Sequence, residues 1–525
     1  MMKLYIRILN ESYFSIHGLS GDDEDKVRSL LTYEIEGAKY SLAYALGKWD
    51  GSVCFFDKNT KQMPLPFLDR IVGLINQSRT KYEYHIEDHR KPLDVTLRLC
   101  DAFILNDYTF IGSDKKIVLY NHQVEAVNAC LQNRRGICLA ATSAGKTLIT
   151  AAMIKICDEV GIKSVTIVPD GTLVRQTLAE LVNVGLDAGE FTGSLKQPDK
   201  SHLVSTWQCL KNHTDVLTGR DLIIIDEAHG LTGDVLRETV MHHCKTARLR
   251  IALTGTLPKK EVDQCYVKIA TGEVVYEISA KMLIDKGILA KPTVNIIKLR
   301  EPLLEEYNAH VLLSNKKGIK PLSRKQYVSK YRIEYGAEQT RFRQDVVRNR
   351  WISNLVIEIS STGLGNTLIL VNNIDQGKML QQMTPNSYFI NGQDYTKIEK
   401  RQEIYRMFAD NDNMVVYAVY KVASTGLSIN RIFNVVTIDI GKAFTKVIQT
   451  IGRGLRTSYD KTAVNVYDIT STLSNSEKHL FKRVEYYREA QYDFNIVTVD
   501  YRTYDTDSKP TVLDFEDDDD GVDNE

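Results

Sequence analysis

The stretch Cys138-Leu-Ala-Ala-Thr-Ser-Ala-Gly-Lys-Thr147 runs from apolar residues into a loop of small ones. It then opens a helical pattern carrying Leu148, Ile149 and Ile154. Such a loop turns backbone N–H groups toward phosphate oxygens, and the helix N-terminus behind it adds partial positive charge. Thr142, Ser143, Ala144 and Gly145 would line the cradle, Lys146 would reach the outer phosphates and Thr147 would hold Mg2+. Ala140 departs from the glycine with which these loops usually begin. About eighty residues later, the run Leu222-Ile-Ile-Ile-Asp226-Glu227 ends in two carboxylates. At the C-terminal edge of a neighbouring parallel strand, Asp226 can reach a cation beside Thr147, and Glu227 can polarise an attacking water. The competing reading is an Asp-Glu pair that caps a helix. Further on, Gln449, Arg453 and Arg456 fall at i, i+4 and i+7 of a helical pattern and so share one face. Guanidinium groups stabilise the charge that develops when a phosphoanhydride is cleaved; the alternative is a solvated basic helix face.

Elements of a particular kind must position these groups. Strand-like runs at 137–141, 164–169, 203–207, 222–226 and 250–254 alternate with helical patterns such as 146–160 and 173–184. A second series has strands at 366–371, 387–390, 414–419, 435–439 and 463–469, with helices at 376–382, 395–408 and 446–455. Apolar strands alternating with helices predict parallel sheets covered on both faces, so the expected class is α/β with two doubly wound domains and a ligand cleft between them. Residues 1–95 read as a small α+β module, 96–298 as the ATP-binding domain and 299–355 as a basic helical insertion. Residues 356–500 read as the second α/β domain and 501–525 as an acidic disordered tail.

Composition sets outer limits. The chain has 525 residues, and 67 Lys and Arg balance 67 Asp and Glu, so any nucleic-acid surface must be local. No apolar stretch approaches a membrane span, the N-terminus lacks a signal-peptide core, and the eight cysteines include no CxxC pair. Reduced core thiols and a cytoplasmic location are expected, and the adjacent His242, His243 and Cys244 are expected to point different ways rather than to bind metal. From Lys316 to Arg350, eleven Lys and Arg face three acidic residues. Lys325, Lys330 and Arg332 are candidates for phosphate contact. Tyr327, Tyr331 and Tyr335 form one helical stripe, more simply explained by packing than by base stacking. Trp49, Phe55 and Phe56 are expected in the core of the small module, with a DNA-stacking role for Trp49 as the alternative.

Taken in order, ATSAGKT, DEAH, LTGT (Leu253 to Thr256) and QTIGRGLR resemble the DEAH-type superfamily 2 helicases and translocases, over roughly 117–492. The strings GKWDG, VSTWQ and ASTGLSIN are similar, more narrowly, to phage UvsW-type branched-DNA helicases. The resemblance implies two tandem RecA-like domains, with ATP and Mg2+ as cofactors. It implies that Gln123 reads the adenine edge with Tyr120 stacking nearby, that Gly426 lies at the nucleotide, and that Thr254, Gly255 and Thr256 couple nucleotide state to strand grip. Pro169, Arg175, Thr192, Gly193, Thr206, Asn372 and Thr425 would contact nucleic acid. Ser428 stands where many relatives carry Asp.

The implied activity is ATP-dependent DNA unwinding or translocation that remodels branched or forked DNA by branch migration, fork regression and strand displacement. It would serve phage recombination, repair and replication, in the bacterial host cytoplasm if the chain is phage-encoded. Rival readings are an RNA helicase or R-loop remover acting on RNA–DNA hybrids, an ATP-regulated annealing or clamping module, and the motor subunit of a nuclease. The acidic tail would be a solvated end or a contact for replication or recombination proteins.

Overall fold

The computed structural model describes residues 2–301, 303–323, 335–363, 365–391, 407, 411–420, 431–441 and 463–502. The chain divides into two compact units, Met1–Ser279 and Ala280–Glu525.

In the first unit the N-terminal strands are β1 (Met2–Ile8), β2 (Tyr13–His17), β3 (Thr32–Glu34), β4 (Ser52–Cys54), β5 (Gln62–Pro64) and β6 (Tyr82–Asp88). Strict alternation in β1 sends Leu4, Ile6 and Ile8 inward and Lys3, Tyr5 and Arg7 to the surface. They form a four-stranded sheet, β5-β2-β1-β6, and a separate β3–β4 hairpin. The sheet buries Phe14, Ile16 and Met63 against helices Gly21–Leu30 and Leu68–Asn76. This core is not closed by the module itself. Val262, Cys265 and Ile269, from a helix at Glu261–Thr271, belong to the same buried cluster. The boundary at 95 therefore separates sequence patterns but not hydrophobic cores. Phe56 is buried and Phe55 packs on the cluster, as expected. Trp49 lies outside it, half-buried, with its indole N–H donating to the Ser52 carbonyl at 2.7 Å.

The rest of the unit is a seven-stranded sheet. Its strands are β7 (Arg135–Ala140), β8 (Ser164–Val168), β9 (Ala188–Phe191), β10 (His202–Thr206), β11 (Leu222–Asp226), β12 (Leu249–Thr254) and β13 (Val274–Ile278). Their order is β13-β7-β12-β11-β8-β10-β9, with every neighbouring pair parallel. Leu222 through Ile225 are fully buried because helices cover both faces, and such burial contributes about 1.5–3 kcal/mol per side chain.

In the second unit the strands are β14 (Lys291–Leu299), β15 (Asn366–Val371), β16 (Ser387–Ile390), β17 (Val415–Val419), β18 (Ile432–Ile438), β19 (Ala463–Ser471) and β20 (Asp493–Val499). They form a second parallel seven-stranded sheet in the order β16-β17-β15-β18-β19-β14-β20. The expected α/β class with two doubly wound parallel sheets and a small α+β region is what the chain adopts.

Three expectations are corrected here. The boundary at 298 would leave β14 with the ATP-binding domain, whereas β14 pairs with β19 along its whole length and with β20 from Thr293 onward. The segment 299–355 is not a free basic insertion either. Its helix Val346–Ser361 buries Trp351, Ile352 and Leu355 in the core of the second unit. Arg341 pairs with Glu301 and Glu306, while fully buried Arg348 pairs with Asp439 at 2.6 Å. Those two cations hold the domain together and leave the count of phosphate-facing charges. Tyr335 donates to the Asp439 carbonyl and meets His479 edge-on, which is the packing reading of the tyrosine stripe. Tyr327, Tyr331, Lys325, Lys330, Arg332 and residues 503–525 lie outside the described residues, but the tail expected from 501 starts too early: Tyr501 is buried in the core of the second unit and donates to Asp345 at 2.8 Å.

The eight cysteines are free, and all but Cys54 are buried. Among the described residues no helix is long and apolar enough to cross a membrane, and no group of three or more His, Cys, Asp or Glu converges as a metal site.

Candidate nucleotide site

In a parallel sheet all strands end on the same edge, and the first unit places its motifs there. Strand β7 leads into the loop Ala141–Gly145 and then the helix Lys146–Asp158. Ala140 pairs with Ile278 as ordinary strand, so the position needs no glycine. The left-handed residues are Ser143 (φ 68°) and Gly145 (φ 86°). Glycine suits this left-handed backbone, and a Cβ on Gly145 would stand 2.0 Å from the Gln123 amide nitrogen and so displace that side chain from the loop. Gly145→Ala is expected to abolish detectable ATP binding in a fluorescent-nucleotide titration; an affinity within about threefold of wild type would show that the loop rearranges freely.

Gln123 sits at the third position of the helix Asn121–Asn133. Its side chain accepts from Tyr120 N at 2.9 Å and donates to the Ala144 carbonyl at 3.1 Å, and His122 Nε2 lies 3.3 Å from that same oxygen. The glutamine expected at the adenine edge braces the loop Ala141–Gly145. Tyr120 is half exposed and stacked on His122 at 5.6 Å, leaving ring surface free for a base. Sequence reading missed His122 because a lone histidine beside a motif carries no spacing signal.

Strand β12 lies between β7 and β11. The turn after it sets Gly255 against the loop: a Cβ there would be 3.6 Å from the Ala140 carbonyl and 4.0 Å from Lys146 Nζ. Thr254 donates to the Thr256 carbonyl at 2.9 Å, closing that turn. From the end of β11, Glu227 reaches across to Lys146 with Oε1 3.3 Å from Nζ, and its other oxygen is 3.4 Å from His229 Nδ1. Glu227 has a left-handed backbone (φ 52°), which costs about 1–2 kcal/mol for a residue with a Cβ. Its N–H donates to Asp226 Oδ1 at 2.9 Å.

The charges are interdependent. Burial pushes the Asp226 carboxyl up, against the pull of Lys146. Burial acts the same way on Glu227, but there Lys146 and His229 prevail and hold it below the usual carboxylate range. Burial would lower the Lys146 ammonium, but Glu227 and Asp226 raise it. The cluster therefore sets the Lys146 ammonium against the Glu227 carboxyl beside the loop Ala141–Gly145. Hard oxygen donors, the Asp226 carboxylate and the Thr147 hydroxyl, are the donor set that Mg2+ takes when substrate phosphates complete its shell.

In the first unit the residues expected to contact nucleic acid lie at the ends of β8, β9 and β10 or just beyond them, with Arg175 on the helix Gly171–Asn183. Pro169 and Thr206 are half-buried, while Arg175 and Gly193 are exposed. Thr192 differs: it is buried, and its hydroxyl donates to Glu190 Oε1. In the second unit Asn372 follows β15 and its amide donates to the Asp439 carbonyl at 2.5 Å. Gln449, Arg453, Arg456, Thr425, Gly426 and Ser428 lie outside the described residues.

Two domain families match the chain in order: Type III restriction enzyme, res subunit, over residues 116–259, and Helicase conserved C-terminal domain, over 349–458. With the two parallel sheets, they make the chain an ATP-dependent helicase. It is 24% identical over 516 residues to the ATP-dependent DNA helicase uvsW of Enterobacteria phage T4, covering 90% of this chain and 95% of that protein. It is 29% identical over 175 residues to the DNA 3'-5' translocase XPB2 of Sulfurisphaera tokodaii, across 33% of this chain and 38% of that one. Its fold is similar to that of the ATP-dependent Type ISP restriction-modification enzyme LlaBIII bound to DNA (TM-score 0.53, 14% identity, 82% of this chain and 34% of that one).

Proposed function

We propose that this helicase acts on DNA and remodels branched structures, coupling Mg2+-dependent ATP hydrolysis to movement of one strand past another. The Lys146–Glu227 ion pair carries the catalytic half of the reading, because it brings the phosphate-binding cation and a water-orienting carboxylate to one point on the sheet edge. Lys146 would hold the outer phosphates, Glu227 would orient and deprotonate the attacking water, and Tyr120 with Gln123 would bind the base. Asp226 and Thr147 would hold Mg2+, which neutralises phosphate charge when bound. Gln449, Arg453 and Arg456 are proposed to stabilise the developing negative charge. Likeness to the ATP-dependent DNA helicase uvsW along nearly the whole of both chains supports the DNA substrate, and the strings GKWDG, VSTWQ and ASTGLSIN support the branched geometry. Pro169, Arg175, Gly193, Thr206 and Asn372 are the proposed strand contacts among the described residues, and Thr254 to Thr256 the coupling turn.

A synthetic four-way junction and a linear duplex, each offered with ATP and resolved on native gels, test this reading. Conversion of the junction to forked arms by the wild type but not by Lys146→Ala is the expected result. Hydrolysis stimulated by RNA duplexes alone would replace DNA by RNA as the substrate. Nucleotide-dependent binding without strand separation would leave an annealing or clamping module.

A further inference from the structure

The turn after Glu227 must hold an unfavourable backbone, and the residues that hold it lie outside every motif. Residues Ala228–Thr232 form a tight turn in which the Gly230 N–H donates to the Glu227 carbonyl at 3.0 Å and Leu231 is fully buried. Arg237, from the helix Asp234–Glu238, folds back onto this turn. Its Nη1 donates to the carbonyl oxygens of Leu231 at 3.2 Å and Thr232 at 3.0 Å, and its Nη2 pairs with Asp234. The guanidinium carbon lies 3.8 Å from the centre of the Tyr266 ring. Tyr266 stands on the helix Glu261–Thr271 and meets Phe55 of the N-terminal sheet region edge-on at 5.6 Å. A planar guanidinium can hold two carbonyls while stacked on an aromatic face; an ammonium cannot reproduce that geometry.

We propose that Arg237, clamped by the Tyr266 ring, is a positioning residue for Glu227. By fixing the Leu231–Thr232 end of the turn, it keeps the left-handed backbone at Glu227 and hence the carboxylate beside Lys146. Tyr266 also packs on Phe55, so the N-terminal module contributes to the set of the hydrolytic carboxylate. The inference rests on the reading of Glu227 as the group that orients the attacking water.

The full chain carrying Arg237→Met, Arg237→Lys, Tyr266→Leu or Tyr266→Phe tests it, with kcat and KM for ATP, nucleotide affinity and melting temperature measured on each. Arg237→Met and Tyr266→Leu are expected to lower kcat by about 10- to 100-fold with KM and nucleotide affinity unchanged, since a displacement of order 1 Å at a reacting group has effects of this size. Tyr266→Phe keeps the ring and is expected to retain kcat within about twofold, while Arg237→Lys recovers little. A purely structural role would lower the melting temperature without separating kcat from KM, and wild-type kcat in Arg237→Met would overturn the proposal. If Arg237→Met does not fold, the Tyr266 pair decides, and equal kcat in its Phe and Leu variants overturns the proposal. Glu227→Gln in the same assay separates the two levels. Wild-type turnover there removes the reading of Glu227 itself. Loss of turnover there, with kcat retained in the Arg237 and Tyr266 variants, removes only the positioning role.

Discussion

Glu227→Gln is expected to bind ATP at least as tightly as the wild type and to hydrolyse it 10²- to 10⁴-fold more slowly, the range for removing a positioned general base. Binding should survive because Glu227 competes for Lys146: the ammonium that would meet the phosphates is 3.3 Å from the glutamate oxygen. Neutralising that oxygen leaves Lys146 facing Asp226 alone and lowers the barrier to pairing with phosphate. Turnover should fail because an amide cannot accept the water's proton. Fluorescent-nucleotide titration beside steady-state phosphate release checks both halves. Unchanged hydrolysis would remove Glu227 from the chemistry, whereas lost binding would mean that its charge holds the loop open.

The second large effect belongs to stability. Arg348 is fully buried with Nη2 2.6 Å from Asp439 and Nε 3.9 Å from Glu301, and its guanidinium lies 4.3 Å from the centre of the Phe342 ring. Burial pushes both carboxyls up, and Arg348 pulls both back. Arg348→Met would leave Asp439 buried without its ion-pair partner, while Glu301 keeps Arg341 at 3.1 Å, and is expected to cost about 3–5 kcal/mol. Adding Asp439→Asn should recover part of the loss, because it removes the stranded charge and asparagine tolerates the left-handed backbone at this position (φ 50°). Urea denaturation followed by fluorescence is an apt probe, since Trp351 is buried in the same unit's core. A loss under about 1 kcal/mol would show that the pair behaves as a solvated one. Asp439 also receives the Asn372 amide, so nucleic-acid affinity measured on the same variant would report whether this network sets the candidate strand contact.

What the sequence determined by itself was local. Leu222–Asp226 and Asn366–Val371 have the limits their residues predict, because an apolar run between polar ends is buried on both faces in the interior of a parallel sheet. The strand-to-helix loop Ala141–Gly145 was legible because small residues before Gly-Lys-Thr encode its backbone directly, and the Asp226–Glu227 pair because it ends an apolar strand. Tertiary structure alone decided the rest. Strand β14 pairs with β19, which begins at Ala463, and no pattern near Lys291 names so distant a partner. The strands β9, β13 and β20 lie at sheet edges, where one side meets solvent and the apolar signal thins. Arg341 and Arg348 counted as surface charge until Glu301, Glu306 and Asp439 closed on them, since residue type fixes a charge and only folding fixes its dielectric surroundings and its partner. The same holds for Arg237: nothing in the chain near it announces Tyr266, twenty-nine residues later, and only the packing of two helices sets that ring over its guanidinium.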